Sequence, residues 1–167
     1  MKMIGVTGWK DMGKTTLVEL LVGELVARGL RVATIKHAHH ALELDTPGRD
    51  SYRHRMAGAA EVLVASAARV AIIEELRGAP EPRLPVLLTR LQDADLVVVE
   101  GYKTADHPKL EVFRSAIAQG RVPLAMTHPG VVGIVGDAPG AGVPVFDAGD
   151  PVAIADFALR AAVAVRR

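Results

Sequence analysis

The chain contains no cysteine among its 167 residues. This excludes disulfides, thiolate zinc sites, iron–sulfur clusters and cysteine nucleophiles together, because each needs sulfur as bond or ligand. A reducing compartment, the cytoplasm, is the expected location. Aromatic residues are scarce, with one Trp, two Tyr and three Phe, and 20 Lys+Arg against 19 Asp+Glu leave a formal net charge of only +1. A nucleic-acid groove built on positive charge and ring stacking is therefore not expected. No run reaches the ~18 uninterrupted apolar residues of a membrane span, and the opening MKMIGVTGWK lacks the apolar stretch of a signal peptide. No membrane partner is expected.

What is present suits a core-forming chain. Half the residues are hydrophobic and 23% are charged, and the length suits one domain, residues 1–167. Lys2 to Thr7, Val32 to Ile35 and Leu96 to Val99 are short apolar runs that read as buried strands. Between the first two, Leu17, Leu20, Leu21, Leu25 and Val26 recur at spacings of three and four, and Gly29 follows. That pattern predicts a helix over Lys14 to Arg28 with a C-terminal glycine. Strand, glycine loop, helix and strand within about thirty residues form a βαβ unit, whose crossover makes the strands parallel. The fold class is thus α/β, a mostly parallel sheet flanked by helices.

A short polar helix is expected over Arg49 to Gly58. The runs Glu61 to Ala65 and Arg69 to Ile73, so closely linked, predict a hairpin at an antiparallel edge of the sheet. Leu84 to Leu91 reads as a helix, and strands are expected at Val122 to Met126, Val131 to Val135 and Val143 to Phe146. Asp150 and Pro151 open a last helix as N-cap and first-turn proline.

Gly8-Trp9-Lys10-Asp11-Met12-Gly13-Lys14-Thr15 fits G-x-x-x-x-G-K-[ST] at every fixed position. A chance match somewhere in a chain of this length occurs less than about one time in a hundred, and this one follows a predicted strand and opens a predicted helix. In such a P-loop the glycines let backbone N–H groups close around phosphate oxygens, and the helix N-terminus adds its positive dipole end. Lys14 is expected to neutralise β/γ-phosphate charge, and Thr15 to offer its hydroxyl to Mg²⁺. Lys10 reads either as a lysine reaching a partner's phosphates across a dimer or as a solvated loop lysine. Trp9 reads as a cover for the phosphates, as a partner surface, or as packing for a neighbouring loop.

Glu100 closes the apolar run Leu96 to Val99 and precedes Gly101, the place for a carboxylate that holds Mg²⁺ or orients a water. Asp95, at the other end of that strand, is expected at the far edge of the sheet. Asp45-Thr46-Pro47-Gly48 has the form of a GTPase switch without the preceding strand, leaving Asp45 as a candidate neighbour of Mg²⁺. Lys36, His37, His39 and His40 follow the second strand, at the edge where ligands bind in open α/β sheets, as nickel or zinc ligands, as donors to phosphate and partner groups, or as a polar loop. Arg49 and Arg53 share a helix side and can form a patch for a second anionic ligand. No N-K-x-D string specifies guanine.

Taken together, VTGWKDMGKTTL at 6–17, IKHAHH at 35–40, DTPGRDSYRHR at 45–55 and VVVEGYK at 97–103 resemble the molybdopterin-guanine dinucleotide biosynthesis adaptor family (MobB). The resemblance covers roughly the first two thirds of the chain. It implies a P-loop α/β fold, GTP binding with weak or no hydrolysis, and a homodimer. It also implies work with a MobA-type guanylyltransferase that joins GMP to molybdopterin, and so with molybdoenzyme precursors. On that resemblance Gly8 to Thr16 become the GTP phosphate site, with Thr15 and Glu100 on Mg²⁺. Asp45, Arg49, Asp50, Ser51, Tyr52 and Arg53 become a second patch. The final third resembles the family only in its strand and loop rhythm, and there Asp137, by its place after a strand, is the candidate base contact. Met56 departs from the glutamate expected in many relatives. The alternatives are a small-molecule kinase or ATP-dependent ligase, and a histidine-rich metal-delivery GTPase.

Overall fold

The computed structural model describes residues 1–38, 43–138 and 140–165. The chain forms two compact units, Met1–His37 with Leu84–Arg167, and Ala38–Arg83.

The first unit is built on β1 (Lys2–Thr7), β2 (Val32–Lys36), β5 (Leu96–Glu100), β6 (Lys109–Arg114), β7 (Val131–Asp137) and β8 (Val145–Phe146). They lie side by side in the order β2-β5-β1-β6-β7-β8 and every neighbouring pair is parallel. A short C-terminal strand, β9 (Val163–Ala164), runs antiparallel to Lys2 and Met3 of β1, while β6 takes the other half of β1 at Gly5–Thr7.

Strand β5 shows why both faces are covered. Its five residues are all buried; Leu96 and Val98 join one core, Val97 and Val99 the other, as the two-residue period of a strand requires. The first core is closed by Leu17, Leu21 and Leu25 of α1 (Lys14–Ala27) and by Ile154, Ala155 and Ala158 of α4 (Pro151–Ala161). The second is closed by Leu84 and Leu88 of α3 (Leu84–Arg90). The buried stripe of α1 is narrower than its sequence pattern, since Leu20 and Val26 are exposed. Gly29 ends α1 with positive φ, its N–H and that of Leu30 reaching the carbonyls of Val26 and Leu25.

The second unit holds α2 (Asp50–Met56) and the antiparallel pair β3 (Glu61–Ala65) and β4 (Val70–Glu74), with Leu63 opposite Ile72. The hairpin forms as expected but not at an edge of the large sheet. It is a separate two-stranded sheet, and β2 and β8 occupy the ends of the large one.

Two further expectations change. Val122 to Met126 is not a strand but a loop closing in a 3₁₀ turn, Leu124–Met126. That turn is held by Glu111, whose fully buried carboxylate accepts the N–H groups of Leu124 and Ala125 at 2.8 and 2.9 Å. The strand that carries Glu111, β6, was not expected, because its sequence KLEVFR interrupts an apolar pattern with charges. The ammonium of the equally buried Lys109 donates to the carbonyls of Ala105 and His107.

Candidate functional site

Parallel strands place their C-terminal ends at one edge, and the candidate residues of the first unit gather there. The Gly8–Thr15 loop follows β1, Lys36 ends β2, Glu100 ends β5 and Asp137 ends β7. Asp95 lies at the opposite edge as expected, accepting the backbone N–H of Arg31 at 2.8 Å.

The loop's close approach to the sheet needs glycine. At Gly8 φ is +144°, and a side-chain carbon there would stand 2.6 Å from the carbonyl oxygen of Val112. Met12 is fully buried in the core beneath the loop, whereas Lys10, Asp11 and Thr16 are exposed. Gly13, with φ +100°, turns the chain into α1.

Lys14 folds back over the loop, its ammonium donating to the carbonyl oxygen of Trp9 at 2.8 Å. Its pKa lies below that of an ordinary lysine because of burial and then the charge of Lys103. Next to it, the hydroxyl of Thr15 donates to Oε1 of Glu100 at 3.3 Å, and the Lys36 ammonium stands 3.4 Å from both oxygens. Two hard oxygen donors facing a cationic group, with Glu100 itself buried, are a donor set that fits a small divalent cation such as Mg²⁺.

Trp9 packs on a neighbouring loop of its own chain. Its indole N–H donates to the carbonyl of Val122 at 3.0 Å, with Lys103 at 4.5 Å and Arg121 at 5.5 Å from the ring centre. Neither cation carried a sequence-based expectation, because the contacts join residues about a hundred positions apart. The one available signal was that Lys103 lies three residues beyond Glu100. On the other side of Glu100, His37 stacks on Tyr102 with ring centres 4.8 Å apart. His39 and His40 lie outside the described residues. Among the described residues no group of three or more His, Cys, Asp or Glu side chains is arranged to hold a metal ion.

Asp137 uses both carboxylate oxygens on Ser115, accepting its backbone N–H at 2.8 Å and its hydroxyl. These bonds hold its pKa below the usual carboxylate range.

In the second unit Asp45 is gathered with α2. It accepts the Ser51 hydroxyl at 2.9 Å and stands 3.5 Å from Arg55, which also pairs with Glu43 at 2.8 Å and Glu75 at 2.6 Å. Glu43 is held below its ordinary pKa, first by the hydrogen bond from Arg55. Arg49 and Arg53 stay exposed, Arg53 reaching Asp50 only at 3.9 Å. Tyr52 lies under Arg55, 5.8 Å from ring centre to guanidinium.

Residues 3–137 match the family model described as molybdopterin guanine dinucleotide synthesis protein B, MobB. The chain belongs to the MobB family. It is 36% identical over 158 residues to the molybdopterin-guanine dinucleotide biosynthesis adapter protein of Escherichia coli K12, covering 93% of this chain and 90% of that one. The adapter protein of Haemophilus influenzae is 40% identical over 120 residues, 70% of this chain and 66% of its own length. The fold is similar to that of a MobB homolog from Bacillus stearothermophilus, with a TM-score of 0.64, 28% identity and coverage of 93% and 94%. A second crystal structure, of molybdopterin-guanine biosynthesis protein B, gives 0.69, 26%, 95% and 98%. The sheet of this chain is the mostly parallel, helix-flanked sheet of these P-loop NTPase-like proteins. Among the described residues no helix is long and apolar enough to cross a membrane.

Proposed function

We propose that this MobB-family chain is a GTP-binding adapter of molybdopterin-guanine dinucleotide biosynthesis that assists a MobA-type guanylyltransferase in the cytoplasm. The observation that carries the reading is the arrangement of Lys14 over the Trp9 carbonyl beside the Thr15–Glu100–Lys36 group, at the end of the Gly8–Thr15 loop. The loop amides and Lys14 bind phosphate oxygens, and Thr15 with Glu100 holds Mg²⁺. When bound, the ion neutralises triphosphate charge. Glu100 is the candidate catalytic carboxylate. Already engaged by Thr15 and Lys36, it acts as a holding group more than as a proton acceptor, which suits weak or no hydrolysis. Arg49 and Arg53, both exposed, supply a second, anion-facing patch for molybdopterin or for the enzyme precursor that receives the finished cofactor, and Asp45 orders that segment through Ser51 and Arg55.

The homodimer belongs to the same reading. In the second unit Leu63 and the facing Ile72 are 59% and 60% exposed, and Val70, on the same face, 62%. A lone two-stranded sheet is marginal in water, and a second copy supplies cover for this face. The adapter role is tested by passing the guanylyltransferase over the immobilised chain with and without GTP. Association that strengthens with GTP is the expected result; no association in either state overturns the adapter role.

A further inference from the structure

We infer that Arg114 is a nucleotide-positioning residue, supplying a second cation to the α/β-phosphates of a nucleoside di- or triphosphate from the side of the loop opposite Glu100. This rests on the reading of the Gly8–Thr15 loop as a phosphate cradle and adds to it a group that the loop motif does not contain. Strand β1 lies between β5 and β6, so the loop that follows it is flanked by the ends of both. Glu100 ends β5 and Arg114 ends β6.

Arg114 is exposed, yet its side chain is turned in along the loop. A side-chain carbon at Gly13 would stand 3.0 Å from Nη2, 3.4 Å from Cζ and 3.8 Å from Nε of Arg114, so the guanidinium lies along Gly13. The aligned neighbour across the strand pair is Asp137, and its carboxylate is spent on Ser115. The Arg114 charge is felt by Asp137, but among the described residues no hydrogen bond or ion pair closes on its guanidinium. It keeps its five N–H donors for an anion. The backbone amides of such loops cradle the α/β-phosphates while the loop lysine reaches the β/γ-phosphates. A guanidinium along Gly13 is therefore placed for the α/β end, and its planar fork suits phosphate oxygens.

The test is calorimetric titration of the whole chain with Mg²⁺-GTP and Mg²⁺-GDP, using wild type, Arg114→Ala, Arg114→Gln, Arg114→Lys and Lys14→Ala. Arg114→Ala and Arg114→Gln are expected to weaken GTP and GDP by the same factor, about 10- to 100-fold, leaving the GTP-to-GDP ratio and the nucleotide-free melting temperature unchanged. Arg114→Lys is expected to recover part of the loss, as a point charge in place of a fork. If Arg114→Ala and Arg114→Gln bind both nucleotides within twofold of wild type while Lys14→Ala is weakened about 10- to 100-fold, the role of Arg114 is overturned and the phosphate reading stands. Loss of GTP alone overturns the α/β placement. Absence of wild-type binding to either nucleotide overturns the phosphate reading itself, and Arg114 with it.

Discussion

Lys14 has an amine that can exchange one acceptor for another. It is bonded to the Trp9 carbonyl, and burial together with the nearby Lys103 charge makes its protonated form less comfortable than in water. An incoming phosphate relieves both conditions. Lys14→Ala is expected to cost about 1.5 to 3 kcal/mol of GTP affinity, the worth of one charge-assisted contact, while the melting temperature holds; calorimetry and a thermal melt check the pair. His107 presents the opposite case. It is 2% exposed, neither ring nitrogen has a partner among the described residues, and burial followed by the Lys109 charge brings its pKa down to about 4. The unfolded chain takes up this proton first as the pH falls below about 6.5, so stability is full above that value and declines toward pH 4. The residue is expected to contribute a loss on the order of 3 kcal/mol across that window. Urea midpoints between pH 7 and 4.5 are expected to fall in wild type and to fall less in His107→Leu. Lys14, Thr15 and Glu100 were legible because fixed spacing and a strand end define them. Lys103, Arg121 and Arg114 were not, because only the fold brings them to the loop.

At the level of elements, legibility followed the apolar pattern. β1, β2, β5 and α1 carry uninterrupted runs or a clear helical stripe and stand where the sequence places them. β6 does not, because Lys109 and Glu111 are buried in it as polar pieces of the fold, each satisfying or satisfied by backbone groups of a neighbouring loop. A pattern that reads charge as exposure passes over such a strand. The hairpin was legible as a hairpin, since its short link and β-branched runs are local features. Its separation from the large sheet was not, because strand pairing between distant segments has no local signature. The exposed Leu63–Ile72 face gives this element its own expectation. Ile72→Lys places a charge on the face proposed to be covered by a second copy, and is expected to shift the chain from dimer to monomer in light scattering without changing its circular dichroism. A wild-type chain that is monomeric at all concentrations contradicts the proposed dimer.

Across the whole molecule, six parallel strands bring loop, Lys36, carboxylates and arginine to one edge of one sheet, although they come from segments spread over more than a hundred positions. The guanine base has no motif of its own in the sequence, and the Asp137 carboxylate proposed for it is engaged with Ser115. Nucleotide choice is therefore the property on which the adapter role most depends and that the sequence states least. The histidine-rich loop, the basis of the metal-delivery alternative, has only His37 among the described residues. The kinase or ligase alternative requires ATP. One measurement separates the GTP-binding reading from the kinase or ligase: parallel calorimetric titrations of the chain with Mg²⁺-GTP and Mg²⁺-ATP, with Lys14→Ala as the control. Binding of GTP well above ATP, weakened about 10- to 100-fold in Lys14→Ala, is the expected result. Preference for ATP, or binding of neither nucleotide, contradicts the GTP-binding adapter.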